Sequence, residues 1–347
     1  MEFLSELGLF VAKAAIVVVA IVAIIAAIGR AASRSPEDRE GKIVVKKLND
    51  RLDRMKRALD ARLLPKPAAK RARRAAEAER KARRKAKGEA LEAMLARPRV
   101  FVLTFDGNLR ATATDDLREE ISAILAVARD GDEVVVKLKS PGGMVHAYGF
   151  AASQLERVRE RGLRLTAAVD LVAASGGYMM AAVADRILAA PFAVVGSIGV
   201  MAGIPNFHRF LKRRDIDFEL LTAGEDKRSL TLFGENTEAD RRKLQGEIED
   251  VHALFKAHVQ RLRPGVDIER VATGKSWYAA QALELGLVDE LITSDEYLLR
   301  RAGEADVLSV AHRVKAPLLD RVGRTVETTV ARSVDRMLER ALEDRHR

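Results

Sequence analysis

From residue 99 onward the chain repeats one arrangement: a short run rich in β-branched residues, then a helix-length amphipathic stretch, then another short run. The spacing predicts strands over 100–105, 133–139, 165–169 and 186–189, with helices over 114–129, over 145–161 and from about Ser175. Parallel strands need long crossovers, whereas antiparallel strands can turn in two residues. Helix-length connections therefore imply βαβ units, and with them an α/β fold built on a largely parallel, helix-covered sheet. In such sheets active sites sit in the loops at the carboxyl ends of the strands.

Three glycine-punctuated segments fall in suitable loops: Ser140-Pro141-Gly142-Gly143, Ala174-Ser175-Gly176-Gly177 and Gly196-Ser197-Ile198-Gly199. Ser175 stands at a predicted helix start, where free backbone amides face a developing oxyanion, and the glycines after it let a substrate approach the backbone closely. Alone, a serine before two glycines reads as a helix N-cap and the Pro-Gly-Gly segment as an ordinary turn. A serine nucleophile also needs a base. The chain has six histidines; His146 lies closest to a candidate loop, but no aspartate stands in an evident orienting relation to it. A lysine serves if burial lowers its pKa, yet with 60 lysines and arginines the residue pattern leaves the choice open. With no cysteine in the chain, disulfides, thiolate metal sites and a cysteine nucleophile are excluded.

Residues 7–29 are almost wholly apolar, interrupted by Lys13, and about 20 such residues cross a bilayer as a helix. Acidic Glu2 and Glu6 precede the run, unlike the basic start of a signal peptide, so 1–30 reads as a transmembrane anchor. Basic residues follow it, which by charge bias alone favours a cytoplasmic position for the rest of the chain. Residues 31–98 read as amphipathic and basic helices: Leu48, Leu52, Met55, Leu59 and Leu63 recur at helical spacing, and an Ala/Arg/Lys run follows through Lys87. Much of the net charge of +10 lies in that run. No aromatic residue is interleaved for base stacking, so its charge suits anionic lipid headgroups better than nucleic acid. Further amphipathic helices are expected over 244–262, for packing or a subunit contact, and over 318–342.

The three loops occur in order with Thr222-Ala223-Gly224-Glu225-Asp226-Lys227-Arg228, Thr231-Leu232-Phe233-Gly234-Glu235-Asn236, Ala272-Thr273-Gly274-Lys275-Ser276-Trp277-Tyr278 and Gly286-Leu287-Val288-Asp289. Together they resemble the signal peptide peptidase A and SohB family of membrane-anchored serine proteases, over roughly 100–295. The resemblance implies a ClpP/crotonase-like fold and a protease domain over 99–300; the apolar spacing beyond it marks 301–347 as a C-terminal helical extension. The resemblance also implies Ser175 as nucleophile, Lys227 as base, Ser197 orienting the lysine amine, and an oxyanion hole from backbone amides near Gly142, Gly143 and Gly176. Asp226 stands where the family often has an aromatic residue, and a carboxylate there raises the lysine pKa if it points inward. The family cuts hydrophobic peptides without metal or organic cofactor, in ring or dome homo-oligomers whose subunits share a site. The expected location is the bacterial cytoplasmic membrane, single-pass, with the side left open because family precedent opposes the charge bias. Trp277, Tyr278 and Leu287 are expected to pack. A noncatalytic membrane scaffold and a crotonase-like acyl-CoA enzyme are the alternative readings.

Overall fold

The computed structural model describes residues 41–85, 87–224 and 230–314. The expected anchor over 7–29, the helix over 318–342 and Lys227 with its neighbours lie outside the described residues; within the helical extension expected over 301–347, residues 306–313 instead form a strand paired with 99–102, because their β-branched run extends the sheet. No helix among the described residues is long and apolar enough to cross a membrane. The compact unit comprising Ile43–Ala311 holds all that follows.

The unit is a mixed α/β fold around one sheet. Its strands are β1 (Lys42–Lys47), β2 (Arg99–Asp106), β3 (Glu133–Ser140), β4 (Arg164–Ala174), β5 (Arg186–Ala189), β6 (Val194–Gly196), β7 (Ser276–Tyr278), β8 (Glu290–Leu291) and β9 (Asp306–Arg313). They run in the order β1-β9-β2-β3-β4-β5-β8, with β6 on β4 and β7 on β6. From β9 through β8 the pairings are parallel, and β7 joins β6 antiparallel.

Side chains alternate between the two faces of the sheet. Phe101, Leu103 and Phe105 of β2, Val134, Val136 and Leu138 of β3, and Leu165, Ala167 and Val169 of β4 enter the larger core. Val100, Val102, Val135 and Ala168, the intervening positions, enter the smaller one. Helices α4 (Thr114–Leu125), α5 (Val145–Glu160) and α6 (Gly176–Ala181) cover the first face, with Leu117, Ile121 and Leu155 fully buried. Tyr297 and Leu298 of α11 (Ser294–Glu304) cover the second. There the carboxylate of Glu133 is buried, accepting hydrogen bonds from Arg301 Nε (3.0 Å), the Tyr297 hydroxyl (2.5 Å) and Thr166 Oγ1 (2.8 Å). Burial and then this carboxylate push the Tyr297 phenol up to about 12.

Earlier in the chain, α1 (Leu48–Leu63) and α2 (Lys66–Lys85) follow one another across Leu64-Pro65, and α3 (Glu89–Ala96) comes next. Helix α7 (His208–Lys212) interrupts a largely irregular segment after β6. Then come α8 (Glu238–Leu262), α9 (Ile268–Val271) and α10 (Ala279–Glu284). Of the three residues expected to pack, Leu287 is fully buried and Trp277 lies against the larger core. Tyr278 instead remains half-exposed, its ring edge-on to Phe192.

Candidate active site

β4 runs five residues past its expected end because it changes partners along its length. Thr166–Val169 pair with β5, whereas Val172, Ala173 and Ala174 pair with β6. This swing carries the strand end to the end of β6, where the Ser175 amide donates to the Gly196 carbonyl at 2.7 Å. On the other side an irregularity in the β3–β4 pairing, where two steps of β3 from Leu138 face four steps of β4 from Val169, sets Ser140 opposite Ala173 and draws the Pro141-Gly142-Gly143 loop to the same point. All three glycine-punctuated segments therefore meet at the carboxyl ends of neighbouring strands.

Ser175 joins β4 to α6 with φ 50° and ψ −120°, a conformation costly for any residue with a Cβ. Its side chain makes no capping bond to α6, and among the described residues no side chain hydrogen-bonds to its hydroxyl. The N-cap reading of this serine therefore does not hold. A sharp strand-to-helix turn with positive φ holds the hydroxyl out from the backbone, as nucleophile elbows do.

Gly142 is packed against this turn. With φ +94°, a Cβ there would lie 2.7 Å from Ser175 Cβ and 2.8 Å from the Gly176 nitrogen, so neither the conformation nor the space admits a side chain. Its amide donates to Ser140 Oγ at 3.1 Å, and Ser140 Oγ lies 2.5 Å from the Tyr148 hydroxyl, which donates to the Asn108 carbonyl at 2.8 Å. Burial raises the Tyr148 phenol above its ordinary range, so it stays a neutral donor. Among the described residues the amides of Gly143 and Gly176 have no hydrogen-bond partner. Of the three amides expected at an oxyanion hole, two are thus available and one is committed to Ser140.

Ser197 has φ 53°; its amide donates to the Lys275 carbonyl at 2.8 Å and its hydroxyl to the Gly274 carbonyl at 3.4 Å. One backbone bond, from the Ser175 amide to the Gly196 carbonyl, ties it to the Ser175 turn. Lys227 lies outside the described residues, so this geometry bears on Ser175, Ser197 and the glycines.

A narrow cleft with room for about one water molecule lies beside Ser175, Gly143 and Gly176, lined by Val145, Met179, Val200, Val251 and Phe255. The last two belong to α8, whose apolar stripe was expected to serve packing or a subunit contact: Phe255 and Val259 are buried in the larger core, and Val251 and Phe255 also line this cleft. The same helix braces α6: His258 Nε2 lies 3.0 Å from the Met179 carbonyl, which assigns the ring proton to Nε2. Burial lowers the His258 pKa and keeps the imidazole neutral. Sequence reasoning missed Tyr148, Asn108 and His258. The signal for Tyr148 was present, since it shares the inward face of α5 with Ala151, Ala152 and Leu155 and sits eight residues after Ser140.

Comparison with known proteins bears on residues 2–308. Residues 2–155 match the family described as Peptidase family S49 N-terminal, and residues 157–308 match Peptidase family S49. The chain is 54% identical over 237 residues to Probable protease SohB of Haemophilus influenzae, covering 68% of this chain and 67% of that protein. It is 50% identical over 228 residues to Probable protease SohB of Buchnera aphidicola subsp. Acyrthosiphon pisum, covering 66% and 68%. Among solved structures, the 1510-N membrane-bound stomatin-specific protease, a lysine-to-alanine mutant with a substrate peptide, aligns at TM-score 0.40 and 16% identity over 67% of this chain and 98% of that one. The matches on both halves and the identity to the SohB proteases establish that the chain is a peptidase-type protein belonging to the SohB/S49 family.

Proposed function

We propose that the protein is a membrane-bound serine endopeptidase acting through a Ser175–Lys227 dyad on hydrophobic peptides, such as signal-peptide remnants or fragments of membrane proteins. The observation that carries this reading is the strained Ser175 turn, with its hydroxyl uncommitted and the partnerless amides of Gly143 and Gly176 beside it. The partition of β4 between β5 and β6 supports a ClpP/crotonase-like arrangement of the sheet.

In this mechanism Ser175 Oγ attacks a peptide carbonyl while the neutral Lys227 amine takes its proton. The tetrahedral oxyanion is held by the Gly143 and Gly176 amides, whose donors are fixed before reaction. Collapse expels the peptide amine, which takes the proton from Lys227, and leaves an acyl-enzyme. A water deprotonated by Lys227 then releases the acid. Ser197, through its hydroxyl, orients the lysine. The apolar lining of Val145, Met179, Val200, Val251 and Phe255 favours apolar substrate side chains once the cleft widens to admit them.

Residues 7–29 anchor the chain in the bacterial cytoplasmic membrane as a single span. Homo-oligomerisation is supported by the segment after β6, which leaves Met201 91% and Leu221 94% exposed, with Phe207, Phe210 and Phe218 also uncovered. If neighbouring subunits complete one site, mixing inactive Ser175→Ala and Lys227→Ala proteins restores hydrolysis; mixtures that stay inactive argue that each subunit's site is self-contained. The reading as a whole is tested by hydrolysis of apolar and charged peptides by detergent-purified protein. Preferential cleavage of apolar peptides, lost in both single variants, is expected. A Lys227→Ala protein of full activity would reassign the base.

A further inference from the structure

We propose that the consecutive helices α1 and α2 form a docking surface for anionic phospholipid bilayers, distinct from the peptidase site and from the apolar segment at 7–29. Helix α1 begins on the body, where Leu48 packs against the smaller core. The same helical stripe then continues uncovered: Met55 is 54%, Leu59 61% and Leu63 76% exposed, and α1 has no buried residue. Three large apolar side chains at four-residue intervals form one line along a helix, left to solvent by the rest of the compact unit.

Helix α2 carries the charge. Its 20 residues hold ten lysines and arginines against two glutamates and extend about 30 Å. Lys66, Lys70, Arg74, Lys81 and Lys85 recur at four- and seven-residue spacing, which sets them in one exposed stripe. Ala68, Ala69, Ala72 and Ala76, on the other side of the helix, are its half-buried positions. The two features meet at the turn, where Leu63 and Leu64 are followed by Pro65 and Lys66.

A surface that takes apolar side chains to a shallow depth and offers a dense field of phosphate charge beside them is the headgroup region of an anionic bilayer. A protein partner of complementary charge lacks that uniformity. Nucleic acid supplies phosphate but is ordinarily gripped with aromatic stacking, and no aromatic residue lies between Leu48 and Lys87. Charge complementarity together with the uncovered leucine stripe selects the bilayer.

The chain has no cysteine, so Ala61→Cys gives a unique site near the turn, outside both stripes, for an environment-sensitive dye in the full-length protein. Vesicles of phosphatidylcholine, with or without phosphatidylglycerol, carry a headgroup-linked quencher. Quenching is expected with phosphatidylglycerol and not in pure phosphatidylcholine, although residues 7–29 attach the chain to either. Raising salt to about 1 M, where the screening length is about 3 Å, should reverse it. The Lys66→Glu/Lys70→Glu/Arg74→Glu protein should need at least about tenfold more anionic lipid for half-maximal quenching, with peptide hydrolysis unchanged. Leu59→Ser/Leu63→Ser should weaken it independently. Equal quenching on both vesicles, none on either, a dye shift already present without vesicles (a second copy on the stripe), abolition by millimolar inorganic phosphate (a discrete anion site) or preference for an oligonucleotide over the vesicles would each overturn the proposal.

Discussion

The tightest geometry in the site surrounds Gly142. A methyl group there meets Ser175 and the Gly176 nitrogen below 3 Å, so Gly142→Ala should cost about 1–3 kcal/mol of stability and lower turnover at least about tenfold, read by thermal unfolding and peptide hydrolysis. Tyr148 acts at one remove, as a positioning residue. Tyr148→Phe keeps the ring but removes the bonds to Ser140 and Asn108, and should cost about 1–2 kcal/mol. It should lower kcat more than it raises KM, because the Pro-Gly-Gly loop loses its brace while the apolar cleft keeps its lining. His258 gives a pH signature. Its folded pKa lies below the ordinary 6.5, so its contribution to stability is complete above that value and is lost as pH falls through the lowered folded value. In His258→Gln the part of the stability decline below about pH 6.5 due to this group should vanish, measured as unfolding midpoint against pH; an unchanged slope would remove His258 from the account. Among these residues, the Ser175 turn was legible because two glycines follow a strand-length run. The commitment of the Gly142 amide to Ser140 was not, since it depends on a tyrosine brought in from the next helix.

Elements behave according to who their partners are. Strands β2, β3 and β5 and helices α1 and α5 fall within a residue or so of their sequence expectations, because the strands are short continuous apolar runs buried on both faces and the helices carry a period of 3.6. β6 and β7 have three residues each, too few for a period, and exist through pairing with β4 and with one another. β9 and α11 were also missed, the latter despite a Thr293 cap that accepts from the Glu296 amide. The buried ionic contact of α11 is Arg301 to Glu133, beside a more exposed pair between Asp295 and Lys137. Arg301→Met should destabilise by about 3–5 kcal/mol in chemical denaturation, since it strands a carboxylate inside the sheet face. The longer α8 opens on a reciprocal capping box between Thr237 and Asp240, and Thr237→Ala should cost about 1 kcal/mol. That helix supplies two residues of the cleft lining, so the loss should also appear as a raised KM for apolar peptides.

At the scale of the whole molecule, the family assignment, the site geometry and the uncovered apolar segment after β6 point the same way. Leu221→Asp should leave the unfolding midpoint within about 0.5 kcal/mol of wild type, because the side chain touches little of its own subunit, yet it should reduce assembly size by light scattering. The most direct test of the central claim is to trap the acyl-enzyme analogue. The full-length protein is treated with a phosphonylating reagent bearing an apolar peptide, and the modified residue is located by mass spectrometry. The account predicts a single adduct on Ser175, absent from Ser175→Ala, with loss of hydrolysis in proportion to labelling. An adduct on another residue, or a Ser175→Ala protein that still cleaves apolar peptides at the wild-type rate, would contradict it.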